Sequence, residues 1–242
     1  MTSYRDCYKI YGMLKVSLKY ESESMIDAFK TQISDAFPDR DAAPIFEVLN
    51  DYDEAYFAAR EYFAYFFSMT TNTVVDYVNR NGLGRIWHFM TDSVFDGGVN
   101  ALYRFYDPSS KKNEKILDRC MDCIGVSISS IDKNDALIKM LVRNRNNMAA
   151  HYGNDFGLDS SRISYDAPIL ILERLRRDKI AFDKKYIGKI SFLDDDILQY
   201  FLTMIPPVIA LLKADIDRKT IEEELELYIN SIIKVADECS MI

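Results

Sequence analysis

Nine aromatic residues between Phe46 and Phe67 constrain the fold of this chain more than any other feature. They keep the spacing of an α-helix, and few basic residues lie among them. A helix with so much aromatic surface must bury it, so the pattern favours a core helix over a nucleic-acid stacking platform. The segment therefore predicts the central helix of a helical bundle. The helical pattern resumes over 73–78, and Gly82 is placed to end it.

Helical spacing also dominates the rest of the first half. Apolar residues follow it over 4–18 and again over 25–33, before Pro38. Two helices, or one helix broken near 21–24, fit this pattern equally well. Further helices are predicted over 85–106, 116–123 and 220–236.

Polar residues and prolines indicate where two more helices begin and bend. Asp132 or Asn134 can cap a helix that Gly153 ends. The run Asp194-Asp195-Asp196 can cap another helix, and it is more typical of a cap than of a metal site. Pro206-Pro207 predicts a kink in that second helix.

Three short apolar segments beyond Gly157 differ from the helical pattern. They cover 168–172, 179–182 and 188–193, and charged turns separate them. These segments predict a small β-hairpin or three-stranded elaboration near 168–193. The predicted fold class is therefore mainly α, and a chain of 242 residues is expected to form one domain with this elaboration.

The charge distribution bears on the choice of ligand. A formal net charge of -8 and a pI near 4.9 disfavour indiscriminate nucleic-acid binding. The basic residues are nevertheless concentrated over 172–189, where Arg174, Arg176 and Arg177 are candidates for guiding RNA toward an active site. An RNA ligand is therefore compatible with one local surface.

Several features predict a cytoplasmic protein that does not enter a membrane. Arg5, Asp6 and Lys9 interrupt any signal-peptide core. The longest uncharged stretch, 197–212, is shorter than the roughly 20 apolar residues of a membrane helix. Four cysteines in a chain of this length do not suggest a disulfide framework.

An unusual polar cluster covers 143–153, with the sequence Arg-Asn-Arg-Asn-Asn-Met-Ala-Ala-His-Tyr-Gly. Arginine, asparagine and histidine are costly on a packed helix unless other groups pair with them. On an ideal helix, the following residues share a stripe about 80° wide: Leu137, Leu141, Asn144, Met148 and His151. Arg145 and His151 lie on either side of the Leu137 direction, roughly 120° apart. One copy of the helix therefore does not bring the two side chains together on one face. Two copies related by a twofold axis could bring their functional side chains into one cleft.

The cluster resembles the signature of the HEPN superfamily, in which an arginine, a polar residue and a few further residues precede a histidine. Arg145 and His151 fit it with five residues between them, whereas Arg143 would leave seven. The pair Ala150-His151, the acidic Asp155 and the upstream segment 101–108 are similar to the abortive-infection branch of that superfamily. The resemblance covers 85–155, and it departs from toxin-type members at Gly153, where they often carry a tyrosine.

Taken with the apolar patterns, the resemblance predicts a single HEPN-like helical domain over 1–242 with its motif region at 85–155. The patterns alone place the β elaboration at about 165–193 and C-terminal helices over 194–238. The resemblance implies a homodimer with the active cleft between protomers, and a hydrolase that cleaves RNA without a metal or other cofactor. Such a ribonuclease would serve as a prokaryotic toxin or antiviral (abortive-infection) effector, with RNA as substrate and an antitoxin or defence-system protein as partner.

The resemblance also assigns roles to the cluster. His151 would act as general acid or base, and Arg145 would bind the phosphate and stabilise the transition state. Asn146 and Asn147 would orient the histidine or donate to a phosphate oxygen. Arg143 and Asn144 would support them.

Less specific interpretations stay open beside this one. A non-catalytic HEPN-type module that binds a nucleotide or a partner protein is the main alternative. A purely structural helix, with its arginines paired and His151 at the C-terminal end, is another. Elsewhere, His88 is expected to be a buried, satisfied histidine, and Cys120 and Cys123 are expected to be free core thiols because no second ligand pair lies nearby.

Overall fold

A computed structural model describes residues 27–106, 115–131, 135–141, 166–188, 196–213 and 215–240. All regular structure in these ranges is helical. The helices are α1 (27–36), α2 (Ala42–Met69), α3 (Asn72–Arg80), α4 (Gly84–Tyr106), α5 (Ile116–Ile124), α6 (136–141), α7 (Asp166–Phe182), α8 (Ile197–Leu202), α9 (Ile205–Leu212) and α10 (Arg218–Ser240). A π-helical turn, Asp183–Ile187, follows α7 directly.

Helix α2 is the centre of the bundle, as the aromatic run predicts. It begins where the Asp41 carboxylate accepts a hydrogen bond from the Ala43 amide at 3.0 Å. Its Tyr52, Tyr56 and Phe63 side chains are fully buried, and α2 contacts α4, α5, α7 and α8. The Tyr52 ring meets the Phe105 ring of α4 edge to face, with centroids 4.8 Å apart. The prediction that this segment is a core helix is confirmed.

Two glycines let α4 approach α2 closely. A β-carbon at Gly98 would lie 2.8 Å from Cζ of the fully buried Phe63. A β-carbon at Gly97 would lie 2.6 Å from the ring of Tyr62, which is 43% exposed. The two positions therefore differ in whether the neighbouring ring has space to move.

Replacing Gly98 with alanine is expected to lower the free energy of unfolding by about 1–3 kcal/mol, because the buried Phe63 ring has no free rotamer. Gly97→Ala is the matched control. At position 97 the exposed Tyr62 ring has space to rotate outward. The higher helix propensity of alanine adds up to about 1 kcal/mol of stability. Urea unfolding of both variants measures the difference. Equal stabilities would contradict this account of the α2–α4 contact.

Most predicted helix limits agree with the structure, and two details differ. The predicted kink at Pro206-Pro207 is wrong: both prolines lie in the first turn of the separate helix α9, where no intrahelical amide donor is required. The cap of α6 is Asp135, whose carboxylate accepts from the Leu137 amide at 2.9 Å. The predicted caps Asp132 and Asn134 lie outside the described residues.

The predicted β elaboration is contradicted over most of its length. The segments 168–172 and 179–182 both belong to α7, and the π-helical turn continues the winding to Ile187. Only the third segment, 188–193, lies almost wholly outside the described residues. The apolar residues of α7 recur at helical intervals and face the core, so α7 is an amphipathic helix that was misread as two strands.

The buried apolar side chains from α1 to α10 form a single hydrophobic core. Within the part of the chain that the structure describes, no helix combines the length and the apolar character needed to cross a membrane.

Candidate functional site

The polar cluster of the sequence lies just beyond the described part of α6. The helix is described through Leu141, and residues 142–165 lie outside the description. Predictions about the following residues therefore concern positions that the structure does not describe: Arg143, Asn144, Arg145, Asn146, Asn147 and His151. The structure does define how α6 (136–141) is held.

Helix α6 packs its first turns against the chain's own core. Ile138 and Leu141 are each 1% exposed, and Leu137 is half-buried against the same core. Leu137 and Leu141 are the first two members of the apolar stripe that the helical wheel predicts. At this end, the stripe therefore packs within its own chain.

A polar network ties the start of α6 to α7. One carboxylate oxygen of Asp135 caps α6, and the other accepts from Nη1 of Arg174 at 3.2 Å. Nε of Arg174 also donates to the Ser130 hydroxyl at 3.2 Å. That hydroxyl in turn donates to Oδ2 of Asp178, which accepts the Ser130 amide as well, at 2.9 Å. Two residues of α7, Arg174 and Asp178, thus fix the loop before α6 and its first turn.

The other two basic candidates pair with a buried carboxylate on their own helix. Glu173 is 5% exposed, and it accepts from Arg176 at 2.9 and 3.1 Å and from Nε of Arg177. The Arg176 side chain is 18% exposed, whereas those of Arg174 and Arg177 are 42% and 43% exposed. Of the three arginines predicted to guide RNA, only Arg174 and Arg177 offer much surface to a ligand.

A buried charge cluster lies at the junction of α7 and the π-helical turn. The Lys179 side chain is 1% exposed, and Nζ donates to both carboxylate oxygens of Asp183, at 2.8 and 2.7 Å. Asp53 of α2 lies 3.6 Å from the same Nζ. Burial raises the pKa of Asp53 to about 6, although the Lys179 charge opposes this shift. With its ammonium held between two carboxylates, Lys179 is placed to stabilise structure and not to attack a substrate.

Part of the Lys179 cluster has a signal in the sequence. Lys179 and Asp183 are four residues apart, which places them on one helical face, and Lys179 continues the apolar face of α7. A lysine on a buried face needs a paired anion. The contribution of Asp53, 126 positions earlier, comes from tertiary packing that no local pattern indicates.

Cys120, Cys123 and His88 show little sign of catalytic chemistry. Cys120 and Cys123 are free thiols, and burial raises the pKa of Cys120 to about 12, far from a reactive thiolate. Among the described residues no group of His, Cys, Asp and Glu is arranged to hold a metal ion. The expectation that His88 is buried is wrong: its side chain is 78% exposed, with Nε2 3.5 Å from Oδ2 of Asp92.

Comparisons with known proteins found no relative of this chain. No family model matches the chain, and neither the curated proteins nor the solved structures contain a match to it. The resemblance to the HEPN superfamily stays a prediction from the sequence of the cluster over 143–153.

Proposed function

We propose that this chain is a metal-independent endoribonuclease of the HEPN type, acting as a homodimer in a prokaryotic toxin or defence system. The observation that carries the proposal is the pair Arg145 and His151, with five residues between them, downstream of α6 in the sequence. The all-helical core of the described residues is compatible with it.

The proposed chemistry is transfer of the phosphodiester to the neighbouring ribose hydroxyl. The 2'-oxygen attacks phosphorus and loses its proton to a general base, while the bond to the 5'-oxygen breaks and that oxygen gains a proton. The products are a 2',3'-cyclic phosphate and a free 5'-hydroxyl. His151 is suited to one of the proton transfers because an imidazole titrates near neutral pH. The planar donors of Arg145 are suited to the negative charge that develops on the phosphoryl oxygens.

The contacts of α6 and α4 support the choice of His151. The chain has two histidines, and the other one, His88, is exposed on α4 beside Asp92. The start of α6 is fixed by the Asp135–Arg174 pair and by the burial of Ile138 and Leu141. A catalytic group needs such a rigid support, because small displacements reduce the rate strongly.

The partly exposed arginines of α7 support a role in RNA binding. Arg174 contacts the loop before α6, and Arg177 lies on the same helix beyond Glu173. Both keep exposed surface while paired. Phosphates that approach α6 would meet these guanidinium groups, and such contacts weaken as salt is added.

The decisive test incubates the purified full-length chain with mixed cellular RNA in excess EDTA and maps the new ends. We expect cleavage that persists in EDTA and leaves cyclic phosphate ends. Cleavage that depends absolutely on a divalent metal would rule out the proposed chemistry. RNA binding without any cleavage would instead support the non-catalytic HEPN-type module.

A further inference from the structure

A cavity of about 380 Å³ lies where four helices meet, and no residue of α6 or α7 lines it among the described residues. The end of α2, the start of α3, the first half of α4 and the middle of α10 surround it. Its volume is at the lower end of the range of small-molecule sites in proteins. The residues that determine its chemistry are Phe66, Phe67, His88, Asp92, Glu224 and Tyr228.

Aromatic rings form the apolar side of the cavity. The Phe67 ring lies 5.1 Å from the Phe66 ring and 5.6 Å from the Tyr228 ring, measured between centroids. The Tyr228 hydroxyl donates to the Asp166 carboxylate at 2.8 Å, which fixes this ring on α10. Aromatic faces carry partial negative charge and attract cations.

The charged residues at the cavity are acidic. Asp92 and Glu224 line it, and among the described residues that line it none is lysine or arginine. His88 lines it too, with Nε2 3.5 Å from Oδ2 of Asp92. A half-enclosed site with this charge concentrates cations and repels anions.

The start of α3 would attract an anion, and a carboxylate of the chain already occupies this position. The Glu224 carboxylate accepts the Thr73 amide at 3.1 Å and the Thr73 hydroxyl at 2.7 Å. A carboxylate at this place occupies the positive end of the helix dipole. A phosphate or carboxylate ligand is therefore not expected in this cavity.

We propose that this cavity binds a small organic cation, with an ammonium group toward Asp92 and Glu224 and an apolar body against Phe67 and Tyr228. The inference does not depend on the proposed ribonuclease, since it involves none of the residues assigned to RNA cleavage. It would give the protein a second site for a small ligand.

Three probes with the same ring and different charge test the proposal by isothermal titration calorimetry: benzylammonium, benzyl alcohol and benzoate. We expect benzylammonium to bind at least about tenfold tighter than benzyl alcohol, because only the cation gains the carboxylate and ring contacts. Benzoate should show no binding. Equal affinities for the three probes, or no binding of benzylammonium, would overturn the proposal.

Charge-removing variants locate the binding. Asp92→Asn and Glu224→Gln should each weaken benzylammonium binding by at least about threefold, the order of one charged contact near a protein surface. Glu223→Gln is the matched control, because it removes the same charge from α10 at a side chain that is 61% exposed and faces Lys219. Thermal melting shows whether Glu224→Gln has loosened α3, and Asp92→Asn provides the test in that case. If Glu223→Gln weakens binding as much as the other two variants, the cavity is not the site.

Discussion

Replacing Lys179 with methionine is expected to lower the free energy of unfolding by about 3–5 kcal/mol, which leaves a domain of ordinary stability barely folded. Methionine fills much of the same volume, so the loss comes from charge. The Asp183 carboxylate, 1% exposed, would lose both hydrogen bonds from Nζ, and Asp53 would lose its nearest cation. Removing the ammonium that compensates buried carboxylates is among the largest single costs in a protein.

Lys184→Met provides the control for this prediction. Lys184 is exposed on the same π-helical turn, and its replacement should change stability by less than about 0.5 kcal/mol. Adding Asp183→Asn to Lys179→Met should recover part of the loss, because the second change removes one uncompensated charge. Denaturant unfolding of the four proteins measures these differences. A loss below about 1 kcal/mol for Lys179→Met would mean that water or another cation replaces Nζ.

The helical core could be predicted from the sequence because its signals are local and repeated. The aromatic residues of α2 recur at helical spacing, and Asp41 and Gly82 stand at sites where helices begin and end. Asp196 is a similar case, since its carboxylate accepts from the Leu198 amide at 2.7 Å, as the aspartate run predicts. Each of these features depends on residues within a few positions of one another.

The sequence of α7 predicts strands wrongly because its apolar residues occur in short runs between charges. Such runs fit a strand as well as a buried helix when periodicity is judged over a few residues. The charged residues contain the better signal: Glu173 lies three and four positions before Arg176 and Arg177, and the structure pairs all three. Two sites join segments that are far apart in the sequence: the contact of Asp53 with Lys179, and the cavity between α2 and α10. Neither site can be predicted without the packed structure.

The second large effect is expected for His151→Ala, which should reduce RNA cleavage by about 10²–10⁴-fold, the usual contribution of a positioned general acid or base. The melting temperature should stay unchanged. His88→Ala is the matched control because it removes the only other histidine, which is 78% exposed. Cleavage rates and melting curves of both variants are measured in EDTA. If His151→Ala lowers the melting temperature and leaves the rate intact, the residue is a helix cap and not a catalyst.

Arg145→Ala extends this test to the other half of the pair. If Arg145 stabilises charge in the transition state, its removal should lower the cleavage rate by about 10²–10³-fold. The double variant Arg145→Ala/His151→Ala should then be scarcely slower than the worse single variant, because residues that act as a unit in one transition state are strongly non-additive. Two independent structural roles would instead give additive losses of stability. The rate and the free energy of unfolding of the double variant therefore distinguish a catalytic pair from two unrelated polar residues.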